Sequence, residues 1–140
     1  MIEIINRQRG QRINAKHWRV FTAAALKAIK REEDVSIIFA NDRIVRKLNA
    51  EFRGKDYSTD VLSFPTSPEP FEQTNRPHLG EVVISVQRAA TQAKENGLTL
   101  RNEIEQLILH GLLHLCGYDH ETDNGEMNRL ELKLRKKLGI

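Results

Sequence analysis

Residues 100–120 read LRNEIEQLILHGLLHLCGYDH, and the apolar positions in this stretch decide what surrounds it. Ile104, Leu107, Ile108, Leu112 and Leu115 recur at spacings of three and four, the period of a helix with one buried face. Thr99 is a suitable N-cap and Gly117 a suitable stop, so the spacing predicts a long helix over about 100–116. Before it, LGEVVISV (79–86) reads as a strand, and Ser85 caps a helix that ends at Gly97. After it, a last helix over roughly 123–138 starts at Asp123 and closes on Lys136, Lys137 and Gly139, with the cations at the negative end of the dipole. Further out, DVLSF (60–64, closed by Pro65), DVSIIFA (34–40) and MIEII (1–5) read as strands. Asn14 caps a helix over 15–31 carried by Trp18, Phe21, Ala25 and Ile29. Asn41 and Asp42 open another to about Phe52, carried by Ile44, Val45 and Leu48. Four strands mixed with about five helices imply an α+β fold over residues 1–140, a small mixed sheet packed with helices. All four prolines fall in 65–78, which is the candidate mobile loop.

The chain has 140 residues, 39% hydrophobic and 29% charged, which suits one soluble domain and excludes collagen-like and wholly disordered classes. Its lone cysteine, Cys116, can form no intrachain disulfide. The N-terminal MIEIINRQRGQR has no apolar signal region, and no run of about 18 apolar residues occurs, so a cytoplasmic protein without membrane contact is expected. Net charge is +3, unevenly placed. Residues 1–31 carry eight basic side chains against Glu3 alone, while the other 109 carry 14 basic and 18 acidic. Such asymmetry suits a surface that meets a polyanion such as RNA, and suits a solvated basic helix face equally well.

Chemistry concentrates in the opening stretch. His110 and His114 are four apart on the predicted helix, so both rings leave one face a turn apart. Gly117 can break that helix and turn the chain back, and His120 can then supply a third ligand. The spacing matches the zinc-protease template H-E-x-x-H-x-x-G-x-x-H except that Gly111 stands in place of the glutamate base. Three neutral imidazoles leave a fourth position open, the coordination of a catalytic zinc. A glycine inside a helix costs about 1 kcal/mol relative to alanine, and room for substrate or water beside His110 is the expected reason for Gly111. Cys116 is expected to turn away from the two helical histidines as a small buried hydrophobe. Asp119 and Asp60 are both candidates for the missing base. A second cluster, Arg53-Gly-Lys55-Asp56-Tyr-Ser-Thr59-Asp60-Val-Leu-Ser63-Phe64-Pro65, feeds dense charge into a strand. Arg53 as a bidentate fork and Lys55 as a point charge suit a phosphate. No exposed aromatic for base stacking is identifiable from the pattern.

At these two clusters the sequence resembles the YbeY family of bacterial endoribonucleases. The histidine run is similar to that family's H-G-x-L-H-L-x-G-Y-D-H signature, with every fixed position filled. The Arg53–Pro65 block and Leu79-Gly-Glu81-Val-Val-Ile84-Ser85 resemble its two other blocks, with Ser58 in place of the usual proline and Glu81 in place of aspartate. The resemblance implies a zincin-like metal helix and one zinc ion per chain, held by His110, His114 and His120. It implies a single-strand-specific endoribonuclease that matures the 3′ end of small-subunit ribosomal RNA. Arg53 and His114 are then the catalytic candidates, and Lys55, Asp60 and Ser63 the substrate-binding ones. Ribosomal RNA, the small ribosomal subunit and its assembly factors are the implied partners. A zinc metallopeptidase-like hydrolase and a non-catalytic assembly factor with a structural zinc are the alternatives.

Overall fold

The computed structural model describes residues 1–66 and 78–140, so most of the proline-rich stretch lies outside the described residues. The chain runs β1 (Ile2–Asn6), α1 (Ala15–Ile29), β2 (Asp34–Ala40), α2 (Asp42–Arg53), β3 (Val61–Pro65), β4 (His78–Ser85), α3 (Val86–Glu95), α4 (Leu100–Leu115) and α5 (Glu126–Leu138). Four expected caps are in place. Asn14 Oδ1 accepts from the His17 amide, Asn41 Oδ1 from Ile44, Ser85 Oγ from Arg88 and Thr99 Oγ1 from Asn102, each satisfying an amide that the first helical turn leaves without a partner.

The strands form one mixed sheet in the order β1-β2-β4-β3. β1 and β4 each run parallel to β2, and β3 pairs antiparallel with β4, setting Val61 opposite Ile84 and Ser63 opposite Val82. Side chains alternate across each strand, so the sheet has two distinct faces. On one, Val35, Ile37, Phe39, Val82 and Ile84 pack with Trp18, Phe21, Ile108 and Leu112 from α1 and α4. On the other, Ala40, Leu62 and Val83 pack under Val45 of α2. β3 is an edge strand, which is why Pro65 is tolerated as its last residue.

α4 is buried on two sides. Ile104, Ile108 and Leu112 face the sheet, as their spacing predicts, while Leu109 and Leu113 form a separate cluster with Met127 and Leu134 of α5. A helix apolar on opposite sides belongs in a protein interior, and here it forms the middle layer between sheet and α5.

Two expectations are corrected. The last helix begins at Glu126, because Asp123 is used before it: its carboxylate accepts from the amides of Gly125 and Met127, and Gly125, at φ 94°, turns the chain into α5. The reason for Gly111 also differs. A Cβ there would lie 2.6 Å from Val82 Cγ1 and 3.2 Å from Ser63 Oγ, so the glycine lets α4 approach the sheet rather than making room beside His110. The Ser63 hydroxyl donates to the Gly111 carbonyl at 3.1 Å across the same contact.

Gly111→Ala therefore tests whether close approach outweighs helix propensity. Alanine gains about 1 kcal/mol in a helix, while overpacking a tight core costs about 1–3 kcal/mol. Urea unfolding of the metal-free protein should show the variant less stable than wild type. A more stable variant would mean the contact has slack.

Candidate metal centre

His110 and His114 sit one turn apart near the end of α4, and their Nε2 atoms approach to 3.1 Å. α4 ends at Leu115. Gly117 adopts φ 94°, a left-handed conformation suited to glycine, and the chain returns through Tyr118 and Asp119 to His120. One ring nitrogen from each of the three histidines lies within 4.8 Å of the others. The set fits a metal ion. Zinc–nitrogen bonds of about 2.0–2.1 Å at tetrahedral angles place neighbouring ligand atoms about 3.3 Å apart, close to the observed Nε2–Nε2 separation. Two ring nitrogens at that distance repel unless a proton or a cation lies between them. His114 is also held in the form a metal requires: burial, then the charges of His110 and His120, lower its pKa below the usual 6.5 and favour the neutral ring.

A cleft of about 510 Å³ opens over these rings. Arg53 enters it from the end of α2, while Thr59, Asp60, Val61, Ser63 and Pro65 line the β3 side. The turn from Gly117 to Glu121 closes the rest. Arg53 is exposed and, among the described residues, forms no ion pair, so its guanidinium is available to an anion. Asp60 is half-buried and fixed from two directions. The Thr59 hydroxyl donates to its Oδ1, and the Gln92 NH₂, oriented to satisfy both carboxylates, reaches its Oδ2 and Glu103 Oε1 at 3.1 Å each. Burial, and then the charge of Asp60, raises the pKa of Glu103.

The sequence-derived site residues are only partly brought together. Lys55 does not line the cleft: Gly54, at φ 67°, ends α2 and throws Lys55 onto an exposed turn. Ser63 lines it, but its hydroxyl proton is spent on Gly111. No residue of the basic segment 1–31 lines it. Instead Arg19, Lys27, Lys30 and Arg31 border a separate groove shared with Glu3, Glu32 and Glu33, where Arg31 pairs with Glu33. Cys116 lies outside the cleft, as expected, but is half-buried rather than buried where it packs against the main core. The Ser58 hydroxyl donates to Asp42 Oδ1 at 2.9 Å and ties its loop to the first turn of α2.

Two features escaped the sequence reading. Phe52, Tyr57 and Tyr118 are exposed aromatics, and Tyr118 lines the cleft beside the histidines. The other is Glu131 on α5, only 6% exposed, whose carboxylate oxygens lie 3.2 and 3.3 Å from His110 Nδ1. Burial alone would raise the pKa of Glu131. Hydrogen bonding to His110 and the charges of His110 and Arg135 bring it below the usual carboxylate range. The clue in the sequence was an acid at 131 on the stripe that Met127 and Leu134 form.

The family model described as Endoribonuclease YbeY matches residues 3–139. A protein of that name from Nautilia profundicola is 48% identical over 109 residues, covering 78% of this chain and 75% of the relative. One from Syntrophus aciditrophicus is 33% identical over 138 residues, covering 98% of this chain and 86% of the relative. The solution structure of TM1509 from Thermotoga maritima superposes with a TM-score of 0.66 at 28% identity, covering 99% of this chain and 89% of that one.

The centre makes two predictions. The purified protein should hold about one divalent ion per chain, and His110→Ala, His114→Ala or His120→Ala should each strip most of it, since two ligands rarely retain a metal. A triple variant with full metal content by elemental analysis would contradict the assignment. The metal-free protein should also lose stability as pH falls below 6.5, the ordinary histidine value. There the unfolded chain takes up a proton that folded His114 resists. Thermal melts from pH 7.5 to 5 should show a smaller loss in His114→Gln, and an equal loss would remove His114 as the cause.

Proposed function

The chain belongs to the YbeY endoribonuclease family, and from that premise we propose that it is a zinc-dependent endoribonuclease that cleaves single-stranded RNA in maturing the 3′ end of small-subunit ribosomal RNA. The observation that carries this reading is an arginine, without an ion pair among the described residues, in the same cleft as three converging imidazoles. In this reading the domain spans residues 1–140, with His110, His114 and His120 as the metal ligands. Zinc, when bound, supplies a Lewis acid that polarises a phosphoryl oxygen or makes water acidic enough to attack near pH 7. The chain's own residues do the rest. Arg53 binds the phosphate and offsets the charge that develops on it in the transition state. Asp60, held by Thr59 and Gln92, presents a fixed carboxylate at the cleft wall. Tyr118, exposed beside the histidines, lines the same cleft.

The peptidase alternative is not favoured. The position of its glutamate base is Gly111, buried against Val82 with no side chain to offer. A purely structural zinc is disfavoured by the open, polar cleft beside the three rings. No helix among the described residues is long and apolar enough to cross a membrane, which suits action on the small ribosomal subunit and its assembly factors in the cytoplasm.

Single-stranded RNA should be cleaved and casein left intact. Arg53→Ala should reduce RNA cleavage by about 10²–10³, as loss of a preorganised charge-stabilising donor does. Because Arg53 is exposed, stability should stay within about 0.5 kcal/mol of wild type and metal content should be unchanged. Arg53→Lys should restore only part of the rate, since an ammonium cannot form the bidentate fork. Wild-type cleavage by Arg53→Ala would refute the role. Metal-dependent casein cleavage without RNA cleavage would favour the peptidase.

A further inference from the structure

We propose that Glu131 is the positioning residue of the metal centre: its carboxylate accepts a hydrogen bond from the Nδ1–H of His110, and so fixes the tautomer and ring angle that direct the Nε2 lone pair towards the ion. This rests on the metal-centre reading above and adds to it a residue from a different helix.

The geometry assigns the two ring nitrogens of His110 opposite duties. Nε2 faces His114 Nε2 at 3.1 Å, inside the ligand cluster. Nδ1 faces both oxygens of Glu131 at 3.2 and 3.3 Å. An ionised carboxylate can only accept, so the proton on that side must belong to Nδ1. The neutral ring then carries its free electron pair on Nε2, the nitrogen that meets the metal.

Burial supports this role over a packing one. Glu131 lies on the inner stripe of α5 with Met127 and Leu134, where a leucine would pack without desolvating a charge. Its partners are His110 and Arg135, the latter at 3.4 Å and one turn along α5. Arg135 offsets the buried charge from the next turn of α5. Among the described residues, no carboxylate hydrogen-bonds the ring of His114 or His120. His110 is thus the ligand oriented by a carboxylate, and α5 supplies it, whereas His114 hydrogen-bonds the backbone of Tyr118.

The test is zinc titration against a chromophoric chelator for wild type, Glu131→Gln and Arg135→Gln, with ¹⁵N spectra of the His110 ring in the metal-free proteins. Glu131→Gln keeps the side chain's shape but loses the charge that demands the Nδ1 proton. It should bind zinc about 10–100-fold more weakly, as loss of an outer-shell partner does elsewhere. Its His110 should also shift from the Nδ1–H towards the Nε2–H tautomer, while the metal-free melting temperature shows it folded. Arg135→Gln should stay within about threefold of wild-type affinity. The proposal is overturned if Glu131→Gln binds zinc within threefold of wild type, if its His110 tautomer is unchanged, or if Arg135→Gln weakens zinc equally. Neither readout involves RNA, so a failure here leaves the nuclease reading standing. Wild-type protein that takes up no zinc overturns the metal-centre reading itself.

Discussion

The approach of α4 to the sheet at Gly111 is the constraint on which the rest of the molecule depends. At that point Val82 and Ser63 occupy the space a side chain would need, and Ser63 fastens the contact by donating to the Gly111 carbonyl. Once α4 is seated there, much else is fixed by helical geometry. Ile108 and Leu112 enter the main core, and Leu109 and Leu113 turn to α5. His110 and His114 are left on a flank, half-buried and facing the β3 edge. A looser helix would keep its apolar contacts in part and still misplace the rings, because ligand geometry tolerates less displacement than hydrophobic packing does.

The cleft is assembled from both sides of the sheet. α4 belongs to the layer on one face, and α2 covers the other. β3, short and at the edge, allows Arg53 at the end of α2 to reach the cleft formed with α4. The position suits the cation for a second reason, since the C-terminal turn of a helix is its negative end. The loop that carries the chain from α2 to the cleft wall is tied back to that helix by the Ser58 hydroxyl, which donates to Asp42, and by the Asn49 amide, which donates to the Tyr57 carbonyl. Arginine, ligands and carboxylate wall thus come from separate elements that a single sheet edge brings together.

What was legible in the sequence was what depends on near neighbours. The caps at Asn14, Asn41, Ser85 and Thr99 are three-residue interactions. The three histidines fall within eleven residues, so helix period and one glycine suffice to converge them. What was not legible depends on distant packing. Glu131 is 21 residues from His110 and meets it only because α5 docks on α4. No periodic pattern marks Tyr118, yet the turn after Gly117 leaves it 37% exposed. Lys55 sits two residues from Arg53 and still misses the cleft, since Gly54 reverses the chain between them. The charge excess of residues 1–31 is real, but the fold spends part of it on a groove that holds its own carboxylates. Composition gives the amount of charge, and only the fold gives its direction.

The central claim is that three imidazoles from α4 and its following turn hold the ion and that no other side chain joins them. X-ray absorption of the zinc-loaded protein tests it most directly. The account predicts a shell of nitrogen and oxygen scatterers at about 2.0–2.1 Å with the multiple-scattering signature of three imidazoles and no sulfur. A sulfur scatterer near 2.3 Å, which only Cys116 or a methionine could supply, or a signature of fewer than three imidazoles, would contradict it.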